Sequence, residues 1–101
     1  MSQSDLCPKF ERAMEIISKR WNGLIIHQLL RGPQRFCEIE SAISISGRLL
    51  SQRLKDLERE GIVHREVYPE TPVRIEYSLT EKGRTLKPIL AEIEKWAETC
   101  Q

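Results

Sequence analysis

Three thiols punctuate the chain, at Cys7, Cys37 and Cys100, and the first stands directly before Pro8 in "CPKFERAMEIIS". Proline suits the first position of a helix, where its missing N–H would have had no partner. If Pro8 opens a helix, Cys7 is its N-cap, where unpaired N–H groups and the helix dipole favour an anion. A thiolate is the nucleophilic form of cysteine, and Lys9 and Arg12 add positive charge that Asp5 and Glu11 partly offset. Such a thiol would add to electrophiles or pass through sulfenic acid to a disulfide. The plain alternative is a small residue wedged at a helix start with no redox duty. An odd cysteine count without a CxxC pair argues against a disulfide scaffold and a structural zinc site.

A second set of chemically able residues lies in "SGRLLSQRLK", residues 46–55. It carries Arg48, Arg53 and Lys55 and no acid, while Asp56, Glu58 and Glu60 follow. With Leu50, Leu54 and Leu57 as an apolar stripe, Gly47, Arg48, Ser51, Gln52 and Lys55 are expected to face outward, just past Ser46 at the helix start. Arginine pairs bidentately with guanine and glutamine with adenine, and Ser51 is small enough for a base or a phosphate. Arg53, one turn before Leu57, is placed to snorkel to a phosphate. Any single charge here fits a solvated, salt-bridged helix face equally well; only the arrangement points to DNA. His27 and His64 stand alone, and there is no nucleophile–base–acid set, paired-carboxylate motif or phosphate-binding glycine loop, so neither an enzyme nor a metal or other cofactor is expected.

These residues need elements to hold them. At 101 residues, 40% hydrophobic and 31% charged, the chain is expected to be a single soluble domain spanning 1–101. A net charge of +1 leaves the partner to be decided by where the charges lie. The N-terminus has neither a basic nor an apolar leader segment, and no apolar run approaches a bilayer crossing, so the cytoplasm and no membrane partner are expected. Apolar spacing predicts a helix over 8–18 and a second from Asn22 that stops at Gly32–Pro33. A short third helix in "RFCEIESAI" and a fourth from about Ser46 to Gly61 follow. The period then changes to two over 62–79, with Pro69 to Pro72 as a stiff tip, which predicts a hairpin. Thr80 caps a last helix over 81–99, which Pro88 should bend or shift. The fold class is mainly α with a small β-hairpin wing: a winged helix-turn-helix, its helix pair near 35–60. In that layout the second helix of the pair enters the major groove of duplex DNA. On the wing Glu66, Glu70 and Glu76 would repel phosphates, which leaves Arg74 as the credible charged contact. Arg35 is a plausible phosphate anchor, Lys19 and Arg20 lesser ones.

The stretches "CPKFERAMEIISKRWNGLIIHQLLRGPQRF", "LLSQRLKDLEREGIVHREVYPETPVRIEYSLTEKG" and "AEIEKWA" together resemble the HxlR-type winged-helix transcription regulators. Within that family the likeness is to the thiol-based YodB- and CatR-like repressors, which sense quinones, diamide and related electrophiles. The resemblance implies a homodimer built through the N- and C-terminal helices and bound to a near-palindromic operator. It implies release of DNA when an electrophile or oxidant modifies the sensing cysteine, which falls on Cys7. It places the family's C-terminal cysteine at Cys100, whose natural partner is Cys7 of the other subunit. Cys37 and Gly47 depart from the family pattern, the latter at the start of the recognition helix. Two rival readings keep the fold: a regulator answering a non-covalent small ligand, and a protein-interaction module that does not use DNA.

Overall fold

The structure, a computed structural model, describes residues 7–100; Asp5, one of the charges expected near Cys7, lies outside them. Four helices come first: α1 (Pro8–Ser18), α2 (Asn22–Leu29), α3 (Phe36–Ile43) and α4 (Gly47–Arg59). The hairpin β1 (Val63–Tyr68) and β2 (Arg74–Leu79) follows, then α5 (Glu81–Arg84) and α6 (Lys87–Cys100). Helix, turn, helix and antiparallel hairpin in this order make a winged helix-turn-helix.

Each boundary has a local cause. Pro8 is the first residue of α1, and Cys7 ahead of it is extended. Trp21, left-handed at φ 81°, turns the chain from α1 into α2. Asn22 behind it is buried, its Nδ2 donating to the Ile16 carbonyl at 2.9 Å. Ser44, left-handed at φ 55°, ends α3, and the Ser46 hydroxyl accepts the Leu49 N–H at 3.2 Å to start α4. Gly61 at φ 76° closes α4 in the left-handed conformation that glycine adopts without penalty.

The core gathers Ile25, Ile26 and Leu29 of α2, Ile39 of α3, and Leu50, Leu54 and Leu57 of α4, with Ile62, Val63 and Leu79 at the hairpin base. The hairpin runs in register from Val63 opposite Leu79 to Tyr68 opposite Arg74. Gln34 adds a single bridge on the free side of β2: its N–H reaches the Tyr77 carbonyl at 2.9 Å, and the Tyr77 N–H returns at 2.8 Å. That bridge straps the wing to the segment ahead of α3.

The sequence predicts one helix over 81–99, and here the structure differs. The chain forms the short α5 and then α6, with Pro88 as the second residue of α6, where its missing N–H costs nothing. The α5 turn closes the end of α4. Thr80 Oγ1 accepts the Gly83 N–H at 3.0 Å and donates to the Gly61 carbonyl at 2.5 Å. Lys82 Nζ reaches the Glu60 carbonyl at 2.7 Å. Gly83 is buried against Ile62, whose carbonyl oxygen would lie 2.3 Å from any Cβ there.

The apolar stripe of α1 also ends differently from a core-facing stripe. The helix buries no residue at all, and Phe10 and Met14 are exposed. On α6 only Leu90 is buried, while Ile89, Ile93 and Trp96 face solvent.

Candidate nucleic-acid interface and thiol sites

The polar face of α4 is set by the burial of its leucines. With Leu50, Leu54 and Leu57 against the core, Arg48, Gln52, Lys55 and Arg59 come out exposed along one side and Ser51 is half-buried. Among the described residues neither Arg48 nor Lys55 meets an acid, so both keep their charge free for a ligand. Gln52 leans on its own helix, Nε2 donating to Asp56 Oδ1 at 3.1 Å. Ser46 is exposed, and its hydroxyl serves as the cap.

Three expected contacts are placed differently. Arg53 turns back to the body: its side chain is only 16% exposed, Nε donates to the Arg20 carbonyl at 3.1 Å, and Asp56 lies 3.7 Å away. Snorkelling is overridden because the Arg20 carbonyl and the largely buried Asp56 carboxylate lie within reach. Gly47 does not face outward. A Cβ there would point at α3, 2.9 Å from Glu40 Oε2 and 3.7 Å from the Phe36 ring, so this glycine admits the Glu40 carboxylate to the start of α4. Arg74 is enclosed by its own wing: Nη2 meets Glu70 at 3.0 Å, Nη1 meets Glu76 at 2.5 Å, and the guanidinium lies 3.8 Å from the Tyr68 ring centre. The hydrogen bond from Arg74 holds the Glu70 carboxyl below its usual range; slight desolvation opposes this, and the charges of Arg74 and Arg35 assist it. The same acids hold the Arg74 guanidinium still more firmly protonated.

Arg35 is exposed at the N-cap of α3, where its N–H donates to Glu38 Oε1 at 2.7 Å. The Gln34 bridge sets it beside the wing, close enough for its charge to act on Glu70. Lys19 and Arg20 are occupied, Lys19 by Asp56 at 3.7 Å and Arg20 by the Trp21 ring at 4.9 Å.

All three cysteines are free and exposed. Cys7 is the N-cap of α1, and its side chain makes no capping hydrogen bond. Its carbonyl takes the Phe10 N–H at 2.9 Å and the Glu11 N–H at 3.2 Å, and Pro8 has none to give. Of the first-turn donors, the Lys9 N–H is therefore the one left to face a thiolate. Cys37 lies on the exposed side of α3 and Cys100 at the far end of α6. Among the described residues no group of His, Cys, Asp and Glu converges as a metal site, and no helix is long and apolar enough to cross a membrane.

Sequence reasoning missed the ionic contacts between α1 and α4, Arg12 with Glu60 and Lys19 with Asp56. Their signal was present as two cations, one on α1 and one just past its end, and two acids at the end of α4. It became readable only once the two helices were known to be neighbours.

The profile of the HxlR-like helix-turn-helix family matches residues 16–101. YvaP of Bacillus subtilis (strain 168), a helix-turn-helix-type transcriptional regulator, is 65% identical over 96% of this chain and 91% of its own. YodB of the same organism, also such a regulator, is 52% identical over 92% of this chain and 84% of its own. Reduced YodB superposes with a TM-score of 0.86 at 51% identity, covering 94% of each chain. Quinone-bound YodB superposes at 0.82 with 46% identity, over 93% of this chain and 99% of that one. The redox regulator HypR in its oxidised form superposes at 0.84 with 42% identity, over 94% and 98%.

Proposed function

Because this chain belongs to the HxlR-like helix-turn-helix family and is a transcriptional regulator of the YodB and HypR type, we propose that it is a homodimeric repressor which leaves its operator when an electrophile or oxidant modifies Cys7. The observation that carries the DNA reading is the division of cations on α4. Arg53 is spent on the body and Arg59 on Asp56, whereas Arg48 and Lys55 stay free on the exposed side with Gln52 between them. Ser46, Ser51 and Gln52 complete a face suited to phosphates and base edges, with Arg35 as a flanking anchor. Gly47 shapes this face by admitting Glu40, and Arg74 by holding the wing in place.

The exposed apolar residues of α1 and α6 support a dimer, since large apolar side chains gathered on two helices mark a contact surface. Two-fold symmetry would set the recognition helices in successive major grooves, roughly 34 Å apart, on a near-palindromic site. The exposed Cys7 thiol at a helix start suits reaction with the reagents seen with YodB, whose structures include a quinone-bound and a diamide-treated form. Toward a quinone, the thiolate sulfur bonds to a ring carbon and the displaced electron pair moves to the conjugated carbonyl oxygen, which takes up a proton. Transfer of the hydrogen on the attacked carbon to the second carbonyl oxygen then gives the hydroquinone thioether. Toward diamide, two thiols lose two electrons and two protons to the N=N bond, giving a disulfide and a hydrazine. Cys100 of the partner subunit is the proposed second thiol.

The test compares wild type with Cys7→Ser on an operator selected from random duplexes by the reduced protein. Both are treated with a quinone or diamide, then run on non-reducing gels and in gel shifts. Loss of DNA by wild type alone, together with a covalent adduct or dimer, is the expected result. Equal release by both proteins would move the signal to a reversible ligand. Absence of salt-dependent DNA binding would remove the regulator reading in favour of a protein-interaction module.

A further inference from the structure

The helix that Cys7 caps faces the recognition helix largely through charged side chains. α1 buries no residue; Ile16 and Ile17, half-buried, are its apolar hold on the body. Toward the second half of α4 it faces a polar cleft of about 320 Å³, lined among others by Arg12, Glu15, Lys19, Asp56, Arg59 and Glu60. Two ion pairs cross that cleft. Arg12 Nη2 meets Glu60 Oε2, and Lys19 Nζ lies 3.7 Å from Asp56 Oδ2. Arg12 stands on the first half of α1 and Lys19 is the extended residue that follows its last turn; Asp56 and Glu60, four apart, lie on one side of the last turn of α4 and its C-cap. The earlier cation meets the later acid, so the two helices run in opposite senses across the cleft.

One partner of each strut has a ready alternative on its own helix. Arg12 Nη1 already reaches Glu15 Oε1 at 3.3 Å, and Asp56 already holds Arg59 at 3.0 Å and Arg53 at 3.7 Å. If α1 shifts by a few ångströms, Arg12 falls back on Glu15 and Asp56 on its neighbours in α4. The crossing pairs then open, leaving Lys19, half exposed, and Glu60, 23% exposed, to solvent. That gives the junction two discrete arrangements, which coupling between two sites requires.

Resting on the regulator reading above, we infer that Glu60 and Asp56 are positioning residues that set the recognition helix against the thiol-bearing helix, so that a change at Cys7 reaches the DNA face through the Arg12–Glu60 and Lys19–Asp56 struts. They touch no DNA themselves. The route runs along α1 from Cys7 to Arg12, across the cleft to Glu60, and back along α4 to Lys55 and Arg48.

The test measures operator affinity before and after quinone treatment in wild type, Arg12→Gln, Glu60→Gln and the exchange Arg12→Glu with Glu60→Arg. Couplings between sites span roughly 5- to 150-fold. The inference expects a wild-type loss in that range, a loss under about threefold in either single variant, and recovery of the wild-type loss in the exchange. A single variant that still loses as much affinity as wild type overturns it. If a single variant binds no operator even when reduced, the exchange decides: restored binding with the wild-type loss supports the strut, and no restoration overturns it. Should wild type itself keep its operator after modification, the regulator reading fails at that step, before any variant is compared.

Discussion

Single positions here are decided by what lies within reach of one side chain. Gly83 is the sharpest case, because its Cβ would sit 2.3 Å from a backbone oxygen that cannot swing aside. Gly83→Ala is expected to cost about 3 kcal/mol or more, the upper end of overpacking. It should appear as a lower urea midpoint with an unchanged slope. Glu70 gives a pH-dependent counterpart. Its folded-state pKa is depressed below the ordinary 4.5, so its contribution to the wing is fully present above that value and is lost as pH falls through the lowered one. A carboxyl NMR titration of Glu70 should show the depressed midpoint, and Arg74→Ala should return it toward the ordinary value. Positions of this kind were the least legible in the sequence. The spacing of "SGRLLSQRLK" showed which residues leave the leucine stripe. It did not show that Arg53 would find the Arg20 carbonyl, or that Gly47 would point at Glu40, because those partners come from elsewhere in the chain.

At the scale of the element, periodicity was a sound guide where one face of a helix meets the core. Leu50, Leu54 and Leu57 are buried as their spacing required, and the alternation of Ile75, Tyr77 and Leu79 matches a strand whose register is fixed from Val63 to Tyr68. Alternation could not reveal the Gln34 bridge, a pairing of one residue with no pattern of its own. Nor did the capping threonine and Pro88 separately announce that 81–99 forms two helices. A short turn was needed there to let Lys82 and Thr80 close α4. The exposed face of α4 carries a prediction about salt. Arg48→Ala and Lys55→Ala should each lower the salt dependence of operator binding by about one counterion. Arg53→Ala should leave that slope unchanged and instead destabilise the fold by about 1.5–3 kcal/mol, the worth of a hydrogen bond from a charged group. Gel shifts across a salt series and a denaturation curve separate the two behaviours.

The molecule as a whole is elongated, 58 × 31 × 24 Å, with large apolar side chains left outside at both ends of the sequence. Phe10 and Met14 on α1 and Ile89, Ile93 and Trp96 on α6 are each more than 40% exposed. The sequence offered these residues as amphipathic stripes but could not say whether they faced the protomer's core or a second copy. In the proposed dimer, Ile93→Asp should shift the protein to monomer in sedimentation velocity while its circular dichroism keeps the helices of the protomer. Operator affinity should fall with it, since each half-site would then be bound alone.

A helix with no fully buried residue in its own protomer has one more property. If α1 draws its order from the partner's surface, its persistence follows mass action, as for any structure stabilised by association. Dilution should then speed amide exchange in α1 well before it touches the buried turns of α2 and α4, and the reactivity of Cys7 would come to depend on how many copies a cell holds. The abundance of the protein would set the sharpness of its own alarm.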